Sequence, residues 1–262
     1  MAARVIAVAN QKGGVGKTTT AINISAGLAA AERRTLLIDG DPQGNASSGV
    51  GLSRGREGVS TYDVLLDPGL AISAVVRGVQ FANLDVLPSS PDLAAAEVEL
   101  AGVAGRELRM REAVEALRST YDYIVIDCPP SLGLITLNML VAADSVLIPL
   151  QCEYYALEGL TQLLRTISSI QESLCPALVV EGVVLTMYDS RLNLSRQVAE
   201  DARAHFGNAV FKSVIPRNIR LAEAPSFGKP IIAYDLASIG AQTYLGVVDE
   251  IIGKNESELV AA

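Results

Sequence analysis

Tryptophan is absent from this chain of 262 residues, histidine occurs once and cysteine three times. Each shortage removes a class of function. The single histidine, His205, has no companion ligand, so a surface position is expected rather than a metal centre. Cys128, Cys152 and Cys175 form no C-x-x-C pair, which points to reduced thiols in a cytosolic protein rather than to a disulfide framework. No apolar run reaches the ~18 residues that a membrane-spanning helix needs. Residues 1–4 lead straight into an apolar run, so no signal peptide is expected. Charge of one sign is also scarce: the net charge is −8, which argues at first against a nucleic-acid partner. Its distribution qualifies that argument. Residues 186–230 carry seven basic and four acidic groups, net +3, inside a chain that is otherwise acidic.

What the chain has in quantity is hydrophobic residues, at 50%, and 22 glycines. That suits a sizeable core with close helix–sheet packing. The most informative stretch is VIAVANQKGGVGKTTT, residues 5–20. Val5 to Ala9 reads as a short buried strand, Asn10 to Gly16 as a glycine-rich loop, and Thr18 to Ala31 as a helix. Strand, glycine loop and helix in that order make a phosphate cradle. Loop N–H groups point inward and the helix N-terminus adds partial positive charge. The usual pattern is G-x-x-x-x-G-K-[ST]. Gly16, Lys17 and Thr18 fit it, but Gln11 stands where the first glycine belongs, and Lys12 precedes Gly13 and Gly14.

KGGVGKT is the deviant form of this motif, with a second lysine near its start. On these residues the chain resembles the ParA/Soj family of DNA-partitioning ATPases, within the wider deviant-Walker group. The resemblance runs over nearly the full length. DPQGN, residues 41–45, matches the family's switch I. YIVID, residues 123–127, is a buried strand ending in an acid, the Walker B pattern, and CPPSLG, residues 128–133, matches switch II. IPRN-R-LAEAPSFGKPI, from Ile215 to Ile231, resembles the C-terminal signature.

The chemistry of phosphoryl transfer is positioning and charge stabilisation. Gly13, Gly14, Val15 and Gly16 are expected to present backbone donors to the phosphates, and Lys17 to reach the β- and γ-phosphates. Thr18 is expected on Mg²⁺, with Asp127 holding a metal-bound water, and Thr19 on the α-phosphate. Asp41 is expected to orient the attacking water. The resemblance further implies that Lys12 reaches a dimer partner's nucleotide, that Pro216 and Asn218 contact adenine, and that Arg191 and Arg220 contact DNA. It implies ATP and Mg²⁺ as cofactors, an ATP-dependent homodimer, non-specific double-stranded DNA, a ParB-like centromere-binding partner, and a cytoplasmic, nucleoid-associated location without membrane binding.

Along the rest of the chain, strands are expected at Thr35–Asp39, Leu84–Leu87, Tyr123–Asp127, Ser145–Leu150 (with Gln151 to Tyr155 at its end), Leu178–Thr186 and Val210–Ile215. Helices are expected at 61–66, 70–76, 91–103, 106–118, 135–142, 156–173, 192–206 and 238–252. Residues 48–58 read as a loop and 253–262 as a frayed tail. Strands alternate with helices and no long linker intervenes, so one doubly wound α/β domain with a mostly parallel sheet is expected over residues 1–262.

Three other readings compete. A membrane-associated division-site regulator like MinD ends in a basic amphipathic helix, whereas residues 253–262 are short and acidic, which repels anionic lipid. An iron–sulfur reductase like the nitrogenase iron protein needs two positioned cysteines per subunit. A metabolic P-loop enzyme acting on an acid needs a substrate motif that is not evident.

Overall fold

The structure is a computed structural model that describes residues 2–53, 57–153 and 156–261, without the side chains of 156–158 and 258–261. Tyr154 and Tyr155, residues 54–56 of the expected loop and Ala262 of the expected tail lie outside the described residues. Six strands form one sheet: β1 (Arg4–Val8), β2 (Thr35–Asp39), β3 (Leu84–Leu87), β4 (Tyr123–Asp127), β5 (Ser145–Gln151) and β6 (Val179–Thr186). Their order is β3-β2-β4-β1-β5-β6, and every pairing is parallel. The expectation of a doubly wound α/β domain with a mostly parallel sheet holds: the six named strands are all parallel, and Val76 adds an isolated antiparallel bridge to Val86 of β3.

Parallel strands need crossover helices, which cover both faces, so the strands are apolar on both sides. That is what the sequence supplies. Val5 and Ala7 of β1 point into one core, under Met110, Met139 and Leu163. Ile6 and Val8 point into the other, under Ile22, Leu28 and Tyr244. The period of two along β1 thus divides its side chains between two layers.

The helix Lys17–Ala30 leaves β1 and packs against the last helix, Ile239–Ala261. The contact is close because Gly27 faces Val248; a Cβ at position 27 would lie 2.6 Å from the valine Cγ2. A buried hydrogen bond between the Thr20 and Tyr244 hydroxyls, 3.1 Å, crosses the same seam.

Several local expectations are corrected. Val210–Ile215 does not form a strand. Phe211 and Ile215 donate to the carbonyls of Val183 and Leu185 on β6, at 2.9 and 2.8 Å. Between them, the N–H groups of Lys212 and Ser213 turn to the carboxylate of Glu250 on the last helix. A side chain takes the donors that a ladder would use. The expected loop at 48–58 begins inside a short helix, Asn45–Gly49. The helix expected over 91–103 is a 3₁₀ turn, Pro91–Ala95, running into Ala96–Glu99.

The last helix is longer than the 238–252 expected: it runs from Ile239 to Ala261. Lys254 donates to the Glu181 carbonyl at 3.0 Å and lies 4.0 Å above the Phe211 ring, Asn255 donates to the Tyr123 hydroxyl, and Arg33 pairs with Glu256. These contacts continue the dock beyond the apolar seam. Gly27→Leu is expected to wedge that seam open and lower unfolding stability by about 1–3 kcal/mol. Urea unfolding checks this, and an unchanged midpoint would show that the seam contributes little.

Candidate nucleotide site

In open parallel sheets ligands bind beyond the C-terminal ends of the strands, where the strand order reverses. Here β1 lies between β4 and β5, and the glycine loop leaves its C-terminal end. Gly14 and Gly16 take positive φ, 75° and 90°, a region that residues with a Cβ enter only under strain. Gly16 is the N-cap of the helix Lys17–Ala30 and offers no side-chain cap. The first N–H groups of that helix therefore face the loop without a protein acceptor of the capping kind, which is the arrangement that binds anions.

The loop is braced from three sides. Asn10 donates to the Pro149 carbonyl at 2.8 Å and accepts from the Lys12 N–H at 3.0 Å. The Thr186 hydroxyl at the end of β6 donates to the Val15 carbonyl at 2.8 Å. The Lys17 ammonium reaches back to the Lys12 carbonyl at 3.0 Å.

Lys17 is only 6% exposed. Burial lowers its pKa, while the nearby Asp127, Cys128 and Asp41 pull the other way. The two lysines of the motif are treated differently. Lys17 is turned into the cradle, whereas the Lys12 ammonium lies at the rim, 3.5 Å from Glu153 Oε2.

Three aspartates converge beneath the loop. Asp39 ends β2 and Asp127 ends β4, in register with each other, and both are 0% exposed. Asp41 follows two residues after Asp39; its N–H donates to Asp39 Oδ1 at 3.2 Å, and its own Oδ1 accepts from the Gln43 N–H at 2.9 Å. Among the described residues, neither oxygen of Asp127 has a hydrogen-bond partner. The Thr18 hydroxyl lies near enough to draw its pKa down but not in bonding geometry, and burial together with the charge on Asp39 carries it well above the usual carboxylate range. Asp39 is raised to about 6, by burial first, against the hydrogen bonds from Ser47.

A buried carboxylate without donors is an expensive arrangement. It fits a hard cation that brings its own water ligands, and an alcohol and a carboxylate facing one another are oxygen donors of the kind Mg²⁺ takes. The residues present therefore fit the metal expected from the sequence.

Beside the loop, Gly16, Thr19, Thr186, Met187, Pro216 and Asn218 line a cavity of about 260 Å³ that Leu221 and Tyr244 help to close. The expected adenine contacts thus stand next to the expected phosphate contacts. Asn218 also caps the short helix Ile219–Glu223, accepting from the Arg220 N–H. The structure thus gathers Lys12 through Thr19, Asp41, Asp127, Pro216 and Asn218 around one site.

Arg191 and Arg220 stand outside it on the surface, with side chains 86% and 55% exposed. Both are paired: Arg191 grips Asp189 with two hydrogen bonds, at 2.9 and 2.7 Å, and Arg220 reaches Glu223 at 3.0 Å and Asp235 at 3.5 Å. His205 is exposed, as expected. Asp39, Ser47, Thr186 and Glu153 were not singled out from sequence. Of these, only Asp39 carried a signal, an acid closing the apolar run TLLID as Asp127 closes YIVID.

Removing the unsatisfied charge is expected to stabilise the ligand-free protein. Asp127→Asn keeps the shape and replaces a buried carboxylate with a neutral amide that costs less to bury, so its melting temperature without nucleotide should rise by a few degrees, the equivalent of about 1–3 kcal/mol. A calorimetric scan of both proteins without nucleotide decides it; a lower melting temperature for Asp127→Asn would mean that the carboxylate is satisfied after all.

Comparison with known proteins agrees with this geometry. The AAA domain family matches residues 3–180. The chromosome partitioning protein ParA of Caulobacter vibrioides is 53% identical over 261 residues, covering 99% of this chain and 97% of that protein. The sporulation initiation inhibitor protein Soj of Bacillus subtilis is 53% identical over 248 residues, covering 95% and 98%. A solved structure, cobyrinic acid a,c-diamide synthase from Mycobacterium smegmatis with bound ADP and magnesium, is 40% identical, covers 98% of this chain and 96% of its own, and superposes with a TM-score of 0.85. With such identity along nearly its whole length to ParA and Soj, the chain belongs to the ParA/Soj family of partitioning P-loop ATPases.

Proposed function

We propose that this protein is a nucleotide-gated DNA-partitioning switch: ATP closes a homodimer, the dimer binds double-stranded DNA without regard to sequence, and hydrolysis, stimulated by a ParB-like centromere-binding protein, returns it to the monomer. The observation that carries the reading is the bare, fully buried carboxylate of Asp127 facing the glycine loop. A site built around an unsatisfied charge is completed by a ligand.

The roles follow from placement. Backbone N–H groups of Gly13, Gly14, Val15 and Gly16 bind phosphate oxygens. Lys17, already inside the cradle, meets the β- and γ-phosphates. Thr19 contacts the α-phosphate, and Pro216 and Asn218 hold adenine. Thr18, directly, and Asp127, through a water, would hold Mg²⁺, which would supply charge neutralisation on the phosphates. Asp41 orients the attacking water from a loop that needs no direct hold on the nucleotide. Lys12 lies at the rim rather than in the cradle, which suits an ammonium that serves the partner's nucleotide. Arg191 and Arg220 lie in a net-positive stretch, residues 186–230, and give phosphate contacts without base readout. Their acidic partners are exposed ion pairs, which are weak and yield to a denser array of phosphates. The site of action is the nucleoid in the cytoplasm.

Two observations weigh against the other readings. The terminal helix is docked through Val247, Val248 and Ile251, and residues 253–262 carry one lysine and two glutamates, unlike a basic membrane helix. The metabolic reading has a 40% identical solved structure bearing such a name, but the partitioning relatives match at 53% over the same span.

Lys17→Ala is expected to lose ATP binding by at least tenfold, measured with a fluorescent ATP analogue. Asp41→Ala is expected to bind ATP normally and accumulate as a dimer in light scattering, while phosphate release falls at least a hundredfold. Wild-type turnover by Asp41→Ala would remove that residue from the mechanism. Lys12→Ala is expected to weaken ATP-dependent dimerisation more than ATP binding; normal dimerisation would rule out a role in trans. Arg191→Glu and Arg220→Ala are expected to keep ATP binding and dimerisation and to lose DNA in gel shifts; DNA binding equal to wild type would place the DNA surface elsewhere.

A further inference from the structure

Asp39 and Asp127 stand side by side in register at the ends of adjacent strands, equally buried, yet the chain treats them in opposite ways. Asp127 receives no donor among the described residues. Asp39 receives three. Its Oδ2 accepts from the Ser47 N–H at 2.7 Å and from the Ser47 hydroxyl at 2.6 Å, and its Oδ1 accepts from the Asp41 N–H at 3.2 Å. One carboxylate therefore clasps both ends of the loop that runs from Asp41 to Ser47.

Ser47 is anchored in turn. It is 5% exposed, and its oxygen accepts from the Ser89 N–H just beyond β3, at 3.2 Å. The Thr61 hydroxyl donates to the Asp39 carbonyl at 2.8 Å. Within the clasp the loop is braced again: Gly44 N–H donates to the Asp41 carbonyl at 2.9 Å, and Gln43 N–H to the Asp41 carboxylate. Short hydrogen bonds to a buried carboxylate are the strong and directional kind, so the loop hangs from a rigid frame of β2, β3 and β4.

We infer that Ser47 is a positioning residue for ATP hydrolysis: by gripping Asp39 it sets the place of the Asp41 carboxylate, without touching nucleotide itself. The inference rests on the reading of Asp41 given above. It assigns the two strand-end acids separate tasks, Asp127 toward the ligand and Asp39 toward the loop.

Positioning errors of about 1 Å cost on the order of a hundredfold in rate. Ser47→Ala is therefore expected to bind ATP and to dimerise as the wild type does, while kcat falls about 10- to 100-fold. Ser47→Thr, which keeps the hydroxyl, is expected to retain most of the rate. A double-mutant cycle read by single-turnover hydrolysis separates positioning from general damage. In an Asp41→Ala background, adding Ser47→Ala is expected to change the rate by less than about twofold, because the group being positioned is gone.

A wild-type rate for Ser47→Ala would overturn the inference. So would an independent, multiplicative loss in the Asp41→Ala background, or a loss that appears in ATP affinity rather than in kcat. If Asp41→Ala itself turns over normally, it is the reading of Asp41 that has failed; a slow Asp41→Ala beside a normal Ser47→Ala leaves that reading intact and removes Ser47. Should Ser47→Ala not fold, Ser47→Cys carries the same cycle, since it keeps the volume and loses most of the donor strength. Where the Asp41→Ala background is too slow to time, the division of the Ser47→Ala effect between kcat and ATP affinity decides.

Discussion

Taking a carboxylate out of water without giving it a donor costs several kcal/mol, and the fold holds Asp127 in that condition. Its strand is flanked by β1 and β2, its side chain is sealed from solvent, and the nearest cation, Lys17, is itself buried and drawn toward the Lys12 carbonyl. The rest of the site is arranged around this deficit. The glycine loop stands over it with positive-φ glycines and an uncapped helix start, which answer to anions. On the proposed reading, a metal-bound nucleotide would bring both charges at once and so satisfy the acid below and the N–H groups above.

The nucleotide cavity and the basic stretch are made from one continuous part of the chain. Thr186 braces the loop through Val15 and lines the cavity together with Met187, Pro216 and Asn218. Arg191 follows Met187 closely, and Arg220 stands on the short helix that Asn218 caps. The Arg217 guanidinium lies 3.9 Å from Glu153, the residue that also holds Lys12. On the proposed reading, a movement of the Pro216–Asn218 wall on nucleotide binding would reach the two surface arginines through covalent neighbours rather than by a long relay.

Much of this was legible in sequence because it depends on local order. The P-loop, the acid closing YIVID and the DPQGN loop are short motifs whose backbone geometry follows from glycine, proline and an apolar strand. What could not be read depends on side chains that meet across the fold. Ser47 reaches Asp39 because a short helix, Asn45–Gly49, turns it back under the strand, and nothing in ASSG announces that turn. Val210–Ile215 has the composition of a strand, but Glu250, far along the chain, claims two of its N–H groups. The terminal helix outlasts its expected end because Lys254 and Asn255 find partners on β6 and β4. Apolar periodicity carries no record of such polar contacts.

The measurement that tests the account most directly is the affinity of the wild-type protein for a long, arbitrary DNA duplex, titrated against salt with ATP, with ADP and without nucleotide. The account predicts tight binding with ATP alone, equal affinity for unrelated sequences, and a slope of log K against log salt of roughly −3 to −4 if each of the four arginines of a dimer takes one phosphate. Binding that is indifferent to nucleotide, or that is absent with ATP at low salt, would contradict it.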